Sequence, residues 1–234
     1  MDVIKQTLEN RLNRIRKLNA DRKEFVNKDV YKLLIKEESL VAGYELIKSN
    51  KGATTPALGK SSLDAFSVKR LYKLIDLLKT ESWNPSPARR IYIPKPGKAE
   101  KRPLGIQGPE EKIVQSTMTF ILDAIYEPVF LQQSFGFRPK RGVHNALIKI
   151  EENYDGMTFA IEGDIKGMYD NVNHHILIKL LKKRIDDPRF IRLVWKFLRA
   201  GYMEVDQLKI PEVGTPQGSI VSPILANIYL HELD

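Results

Sequence analysis

A β-hairpin held between amphipathic helices is what the order of residues in this chain dictates most firmly. Pro85 and Pro87 close off the helical periodicity that precedes them. Beyond them Ala88-Arg89-Arg90-Ile91-Tyr92-Ile93-Pro94 reads as a short strand and Lys95-Pro96-Gly97-Lys98 as a turn, with Glu100-Lys101-Arg102-Pro103-Leu104-Gly105-Ile106 as the return strand. A long helix is predicted over residues 109–126, where Ile113, Val114, Met118, Ile121, Leu122 and Ile125 share one face. Pro109 near its start, followed by Glu110 and Glu111, suits a helix N-terminus.

On either side the pattern repeats this mixture. Helical spacing marks residues 3–18, 28–48 and 67–78, with a loop by composition over residues 50–62. After a loop over residues 134–140, a short helix is predicted at 143–152, a strand at 158–164, and helices at 173–184 and 188–199. Alternation through Met203, Val205, Leu208 and Ile210 suggests a second hairpin over residues 202–213, and a last helix covers residues 220–233. Helices and antiparallel hairpins without a βαβα rhythm make the fold class α+β, and not a doubly wound sheet.

Charge narrows the class of partner. Among 234 residues, 38 Lys and Arg stand against 29 Asp and Glu, a net charge of +9 that suits a polyanion. With no cysteine, disulfides, thiolate zinc sites and cysteine nucleophiles are excluded together. No apolar run reaches the roughly eighteen residues a membrane helix needs, so no membrane partner is expected. Charged residues break the first turn too soon for a signal peptide, so a cytoplasmic protein is the default expectation.

Two short segments carry the chemistry. The run Thr158-Phe159-Ala160-Ile161-Glu162-Gly163-Asp164 ends on a carboxylate, and Tyr169 follows five positions later. Fifty residues beyond Asp164 comes Gly214-Thr215-Pro216-Gln217-Gly218-Ser219, a turn that opens a helix. Nucleotidyl transfer by two divalent ions requires hard oxygen ligands, and a carboxylate at a strand end supplies one. Taken alone, Asp164 also fits a capping or solvated loop aspartate, and Tyr169 a core aromatic. In combination, these segments resemble motifs A and B of a reverse transcriptase of the group II intron maturase type. The resemblance covers nearly the whole chain and is strongest over residues 89–232.

The resemblance implies right-hand polymerase fingers and a partial palm, an antiparallel sheet packed with helices, behind a helical N-terminal extension. Its divisions fall at residues 1–80 (extension), 81–157 (fingers) and 158–234 (partial palm). It implies that Asp164 is catalytic and, with the carbonyl of Ile165, holds Mg2+. Tyr169 is implied beneath the incoming sugar, Gln217 against the nascent base pair, and Lys95 and Arg102 on the triphosphate. Lys101 could stand in for Arg102, because this turn is one residue longer than the commonest family spacing. Arg89, Arg90, Arg138 and Lys51 are the candidate RNA contacts. Ser134-Phe135-Gly136-Phe137-Arg138-Pro139 matches the family loop near template and primer, while Asn50-Lys51-Gly52 and Thr55-Pro56 match its N-terminal extension. Gln115 sits in a family-like context without an implied role, and His174 and His175 read as turn or helix-start residues.

Family enzymes also carry a Tyr-x-Asp-Asp box on a later hairpin. This chain has none, and Asp186-Asp187 reads as a helix break before Pro188. The expectation is therefore the fingers and part of the palm of a longer RNA-directed DNA polymerase, binding RNA but not polymerising by itself. Its implied partners are group II intron RNA, an RNA template with DNA primer, and dNTP. Apolar surface left open by a missing palm and thumb would favour a homodimer. Two other functions stay open: a non-catalytic RNA-binding splicing cofactor with this fold, and a reverse transcriptase of the retron or diversity-generating type.

Overall fold

The computed structural model describes residues 2–59, 61–97, 99, 101–153, 155–156, 158–215 and 218–234. Gln217 and Pro216 lie outside the described residues. Helix α1 runs Asp2–Asp21, α2 Val30–Leu34 and α3 Glu37–Ile47. The single helix expected over residues 28–48 is thus two. Lys36 adopts an extended backbone (φ −69°, ψ 142°) that ends one helix, and Glu37 and Glu38 place negative charge in the first turn of the next. Helix α4 (Val68–Lys79) starts at Ser67, whose hydroxyl accepts from the Arg70 amide.

The hairpin forms as read. Strand β1 (Ala88–Pro94) pairs antiparallel with β2 (Lys101–Ile106), with Arg89 opposite Ile106 and Ile93 opposite Arg102. Helix α5 (Pro109–Tyr126) then enters the centre of the molecule, where Ile113, Val114, Met118, Ile121, Leu122, Ala124 and Ile125 lose all exposure. One buried cluster gathers these with residues from Leu8 to Ile228. Because α5 is apolar on most of its circumference, other elements can pack around it on several sides.

Helix α6 (Val143–Glu152) buries none of its residues, and Val143, Leu147, Ile148 and Ile150 stand exposed. Beyond it the strand expected over residues 158–164 does not form. Phe159 and Ile161 are 88% and 99% exposed. A lone extended segment gains neither ladder hydrogen bonds nor apolar burial, and no described segment pairs with this one.

Helices α7 (His174–Lys182) and α8 (Pro188–Leu198) bury Leu177, Leu181, Phe190, Val194 and Leu198. Asp187 breaks the chain between them as expected: its carboxylate caps α8 through the amides of Arg189 and Phe190 and accepts from the Tyr31 amide at 2.7 Å. The basic side chains of α8 are tied to the segment that follows α4. Arg189 and Arg192 lie 2.9 and 2.7 Å from the Glu81 carboxylate, and Lys196 donates to the carbonyls of Glu81 and Trp83.

The second hairpin is short, β3 (Tyr202–Glu204) and β4 (Gln207–Lys209), and it turns through Val205 and Asp206 at φ 46° and 61°. Strand β3 joins β1 in parallel, Ala88 opposite Tyr202, to give one sheet in the order β2-β1-β3-β4. Helix α9 (Ser222–Leu230) packs against α5 and α7. Among the described residues no helix is long and apolar enough to cross a membrane.

Candidate nucleotide site

The turn that opens α9 is wedged between the Tyr169 segment and β2. Gly214 adopts φ +91°, and a Cβ there would meet the backbone oxygens of Asp170 and Tyr169 at 2.8 and 2.9 Å. Gly218 adopts φ +90°, and a Cβ would meet the Gly105 carbonyl oxygen at 2.8 Å. Only glycine fits at either point, because both the dihedral and the space exclude a side chain. One glycine thus seats the turn on the Tyr169 segment, and the other seats it on β2.

Hydrogen bonds follow the same contact. The Gly214 amide donates to Val172 and the Thr215 amide to Tyr169, both at 2.7 Å. His174, only 3% exposed, makes a 2.6 Å contact from Nε2 to the Gly214 carbonyl. On the far side the buried Gln115 Oε1 accepts from the Ser219 hydroxyl and from the Val221 amide. Neither His174 nor Gln115 carried an expected role. Their signal was positional only: a histidine opening a helix, and a polar residue amid the apolar positions of α5.

A cavity of about 530 Å³ opens where these parts converge, lined by Pro94, Pro96, Arg102, Tyr169, Gly218 and Ser219 among others. Arg102 and Tyr169, far apart in sequence, therefore face one space. Arg102 and not Lys101 is the lining cation of β2, and the prolines on both sides of Lys95 line the cavity as well. Tyr169 is half-buried, and burial raises its hydroxyl pKa. Behind Gly218 a second cavity of about 310 Å³ reaches Lys51, Gly52, Leu104 and Lys112. Lys112 Nζ donates there to the carbonyls of Gly52, Ala53 and Thr55 at 3.1, 2.9 and 3.1 Å, which ties the N-terminal loop to α5. Lys51 on that loop is exposed.

The remaining candidates divide. Asp164 and Ile165 are exposed and lie outside the lining of both cavities. Their carboxylate and carbonyl are the hard oxygen donors a divalent ion takes. By themselves these two oxygens do not make a coordination shell, and among the described residues no three His, Cys, Asp or Glu side chains gather where they could hold a metal. Arg89 donates to the Pro56 carbonyl at 2.9 Å, and Arg90 lies 3.4 Å over the Tyr202 ring, so both are drawn into the fold. Arg138 corrects the expectation of a phosphate contact. Its side chain is 2% exposed and is held by both Glu127 oxygens at 2.9 Å and by the carbonyls of Leu131 and Ser134. A guanidinium with its donors so engaged braces the loop after α5 and has little left for RNA.

The profile of the family described as reverse transcriptase (RNA-dependent DNA polymerase) matches residues 93–234. The chain belongs to this family. It is 43% identical over 223 residues to the group II intron-encoded protein LtrA of Lactococcus lactis subsp. cremoris, covering 95% of the chain and 37% of that protein. It is 46% identical over 230 residues to the uncharacterized 91 kDa protein in cob intron of Schizosaccharomyces pombe, covering 96% of the chain and 28% of that protein. The chain thus spans well under half the length of these relatives. Among solved structures, a chain of a partial Cas6-RT-Cas1–Cas2 complex shares the fold, with a TM-score of 0.56 at 22% identity over 87% of this chain and 34% of that one. Reverse transcriptases as a family act on nucleic acid and use divalent metal ions.

Proposed function

We propose that the chain forms the nucleotide-binding region of an RNA-directed DNA polymerase encoded by a group II intron. In this reading the full-length protein binds intron RNA to assist splicing and copies RNA into cDNA during intron mobility. The observation that carries it is the one cavity shared by Arg102, Tyr169 and Gly218. Residues 1–80 are then the N-terminal extension, 81–157 the fingers and 158–234 part of the palm.

A dNTP in that cavity meets Arg102 at its phosphates, where a guanidinium can make two parallel charge-assisted hydrogen bonds. Lys95, near the hairpin tip, supplies a second point charge. The Tyr169 ring lies beneath the sugar and leaves no room for a 2′-hydroxyl, while Gln217 reads the nascent base pair. Asp164 and the Ile165 carbonyl would hold Mg2+, which when bound offsets the charge developing on the transferred phosphoryl group. Lys51 on its exposed loop and the +9 net charge support a template or intron RNA along the adjoining surface. The open apolar face of α6 suits contact with a second copy, and a sedimentation series showing monomer at every concentration would remove the homodimer.

Primer extension on an RNA template by the full-length protein tests the assignment. Asp164→Ala is expected to abolish extension and to leave RNA binding intact. Extension surviving in that variant removes Asp164 from the metal site, whereas a wild-type protein that extends no primer removes the polymerase reading.

A further inference from the structure

The Gly214–Ser219 turn has a glycine near each end, Gly214 at φ +91° and Gly218 at φ +90°, and at those two points no side chain restricts the backbone. Ordering each such residue costs about 1–2 kcal/mol of conformational entropy, so the turn must be held from outside. Two buried side chains on different elements do so. His174, the first residue of α7, reaches the Gly214 carbonyl, and its ring rests edge-on against Trp195 with centroids 5.9 Å apart. A carbonyl oxygen only accepts, so Nε2 carries the proton and the tautomer is set. Gln115, wholly buried in α5, holds the other end through Ser219 and Val221. Neither side chain lines the cavity that Tyr169 and Gly218 share.

We propose that His174 and Gln115 are positioning residues for nucleotide binding, clamping the turn at both ends so that its glycines stay seated on the Tyr169 segment and on β2. The clamp rests on the polymerase reading and adds to it that affinity for the incoming dNTP is set from behind the site. Loss of either clamp lets the turn leave its seat, which weakens nucleotide binding before it touches the chemistry.

Steady-state incorporation of a single dNTP by the full-length protein decides the matter, with thermal melting to show that each variant folds. His174→Leu and Gln115→Met are expected to raise the KM for dNTP about tenfold, the size of one lost buried hydrogen bond, with kcat nearly unchanged. His174→Gln, which keeps an N–H donor close to the Nε2 position, restores the wild-type KM. A folded His174→Leu with wild-type KM overturns the clamp, and so does equal impairment in the leucine and glutamine variants. Should the leucine variant fail to fold, His174→Asn, too short to reach Gly214, replaces it, and equal KM in the asparagine and glutamine variants again overturns the proposal. A wild-type protein that extends no primer refutes the polymerase reading itself, which separates that failure from failure of the clamp.

Discussion

Gly214→Ala puts the seat of the turn to a quantitative test. Alanine at φ +91° carries a backbone penalty of about 1–2 kcal/mol. Its Cβ would also stand 2.8 and 2.9 Å from two backbone oxygens that belong to no flexible side chain. Relief requires those oxygens to retreat by a few tenths of an ångström, which stretches the 2.7 Å bonds from Gly214 to Val172 and from Thr215 to Tyr169. Each bond contributes about 0.5–1.5 kcal/mol, so the full cost comes to about 2–5 kcal/mol. Gly59→Ala is the control. Gly59 has φ +86° with nothing within 4 Å of an added Cβ, so only the backbone penalty of about 1–2 kcal/mol applies. Urea unfolding of both variants, with m-values checked for constancy, measures the difference. Equal destabilisation at the two positions would refute the reasoning, because it would mean that Gly214 has no close backbone neighbour.

Other consequences are independent of that seat. Arg138→Gln should lower stability by about 2–4 kcal/mol, since Glu127 and two carbonyls lose a nearly buried donor, and should leave the salt dependence of RNA binding unchanged; a changed salt slope with unchanged Tm would restore Arg138 to the RNA surface. Burial, and next the charge of Glu127, raise the Asp123 carboxyl to about 6 from 3.8, so the native state holds extra protons between those values and stability falls as pH rises through that window. Asp123→Asn should flatten this part of the Tm–pH curve and add about 1–3 kcal/mol at neutral pH. Val205, a β-branched residue at φ 46° on an exposed turn, should gain about 0.5–1 kcal/mol on replacement by Asn, read as a rise in Tm.

The expectations that held rest on local physics. Helix α5 was legible to its ends because an apolar face and a Pro-Glu-Glu start act within a few turns of backbone. The same holds for the β1–β2 hairpin, whose Pro96-Gly97 turn dictates its own geometry. Residues 158–164 failed as a strand for the opposite reason: alternating apolar side chains describe a strand only where a partner exists to receive them. Arg138 failed likewise, because no property of an arginine in a glycine- and phenylalanine-rich loop announces that Glu127 will take its charge.

By itself, then, the order of residues determined the α+β class, the first hairpin, and the pairing of an acidic-aromatic segment with a glycine-bounded turn that led to the reverse transcriptase family. Tertiary structure alone decided that β1 and β3 join in parallel, that Arg102 shares a cavity with Tyr169, and that His174 and Gln115 grip the turn. Propensity and periodicity act between near neighbours, whereas a cavity or a buried hydrogen bond depends on which distant segments the packing around α5 brings into contact.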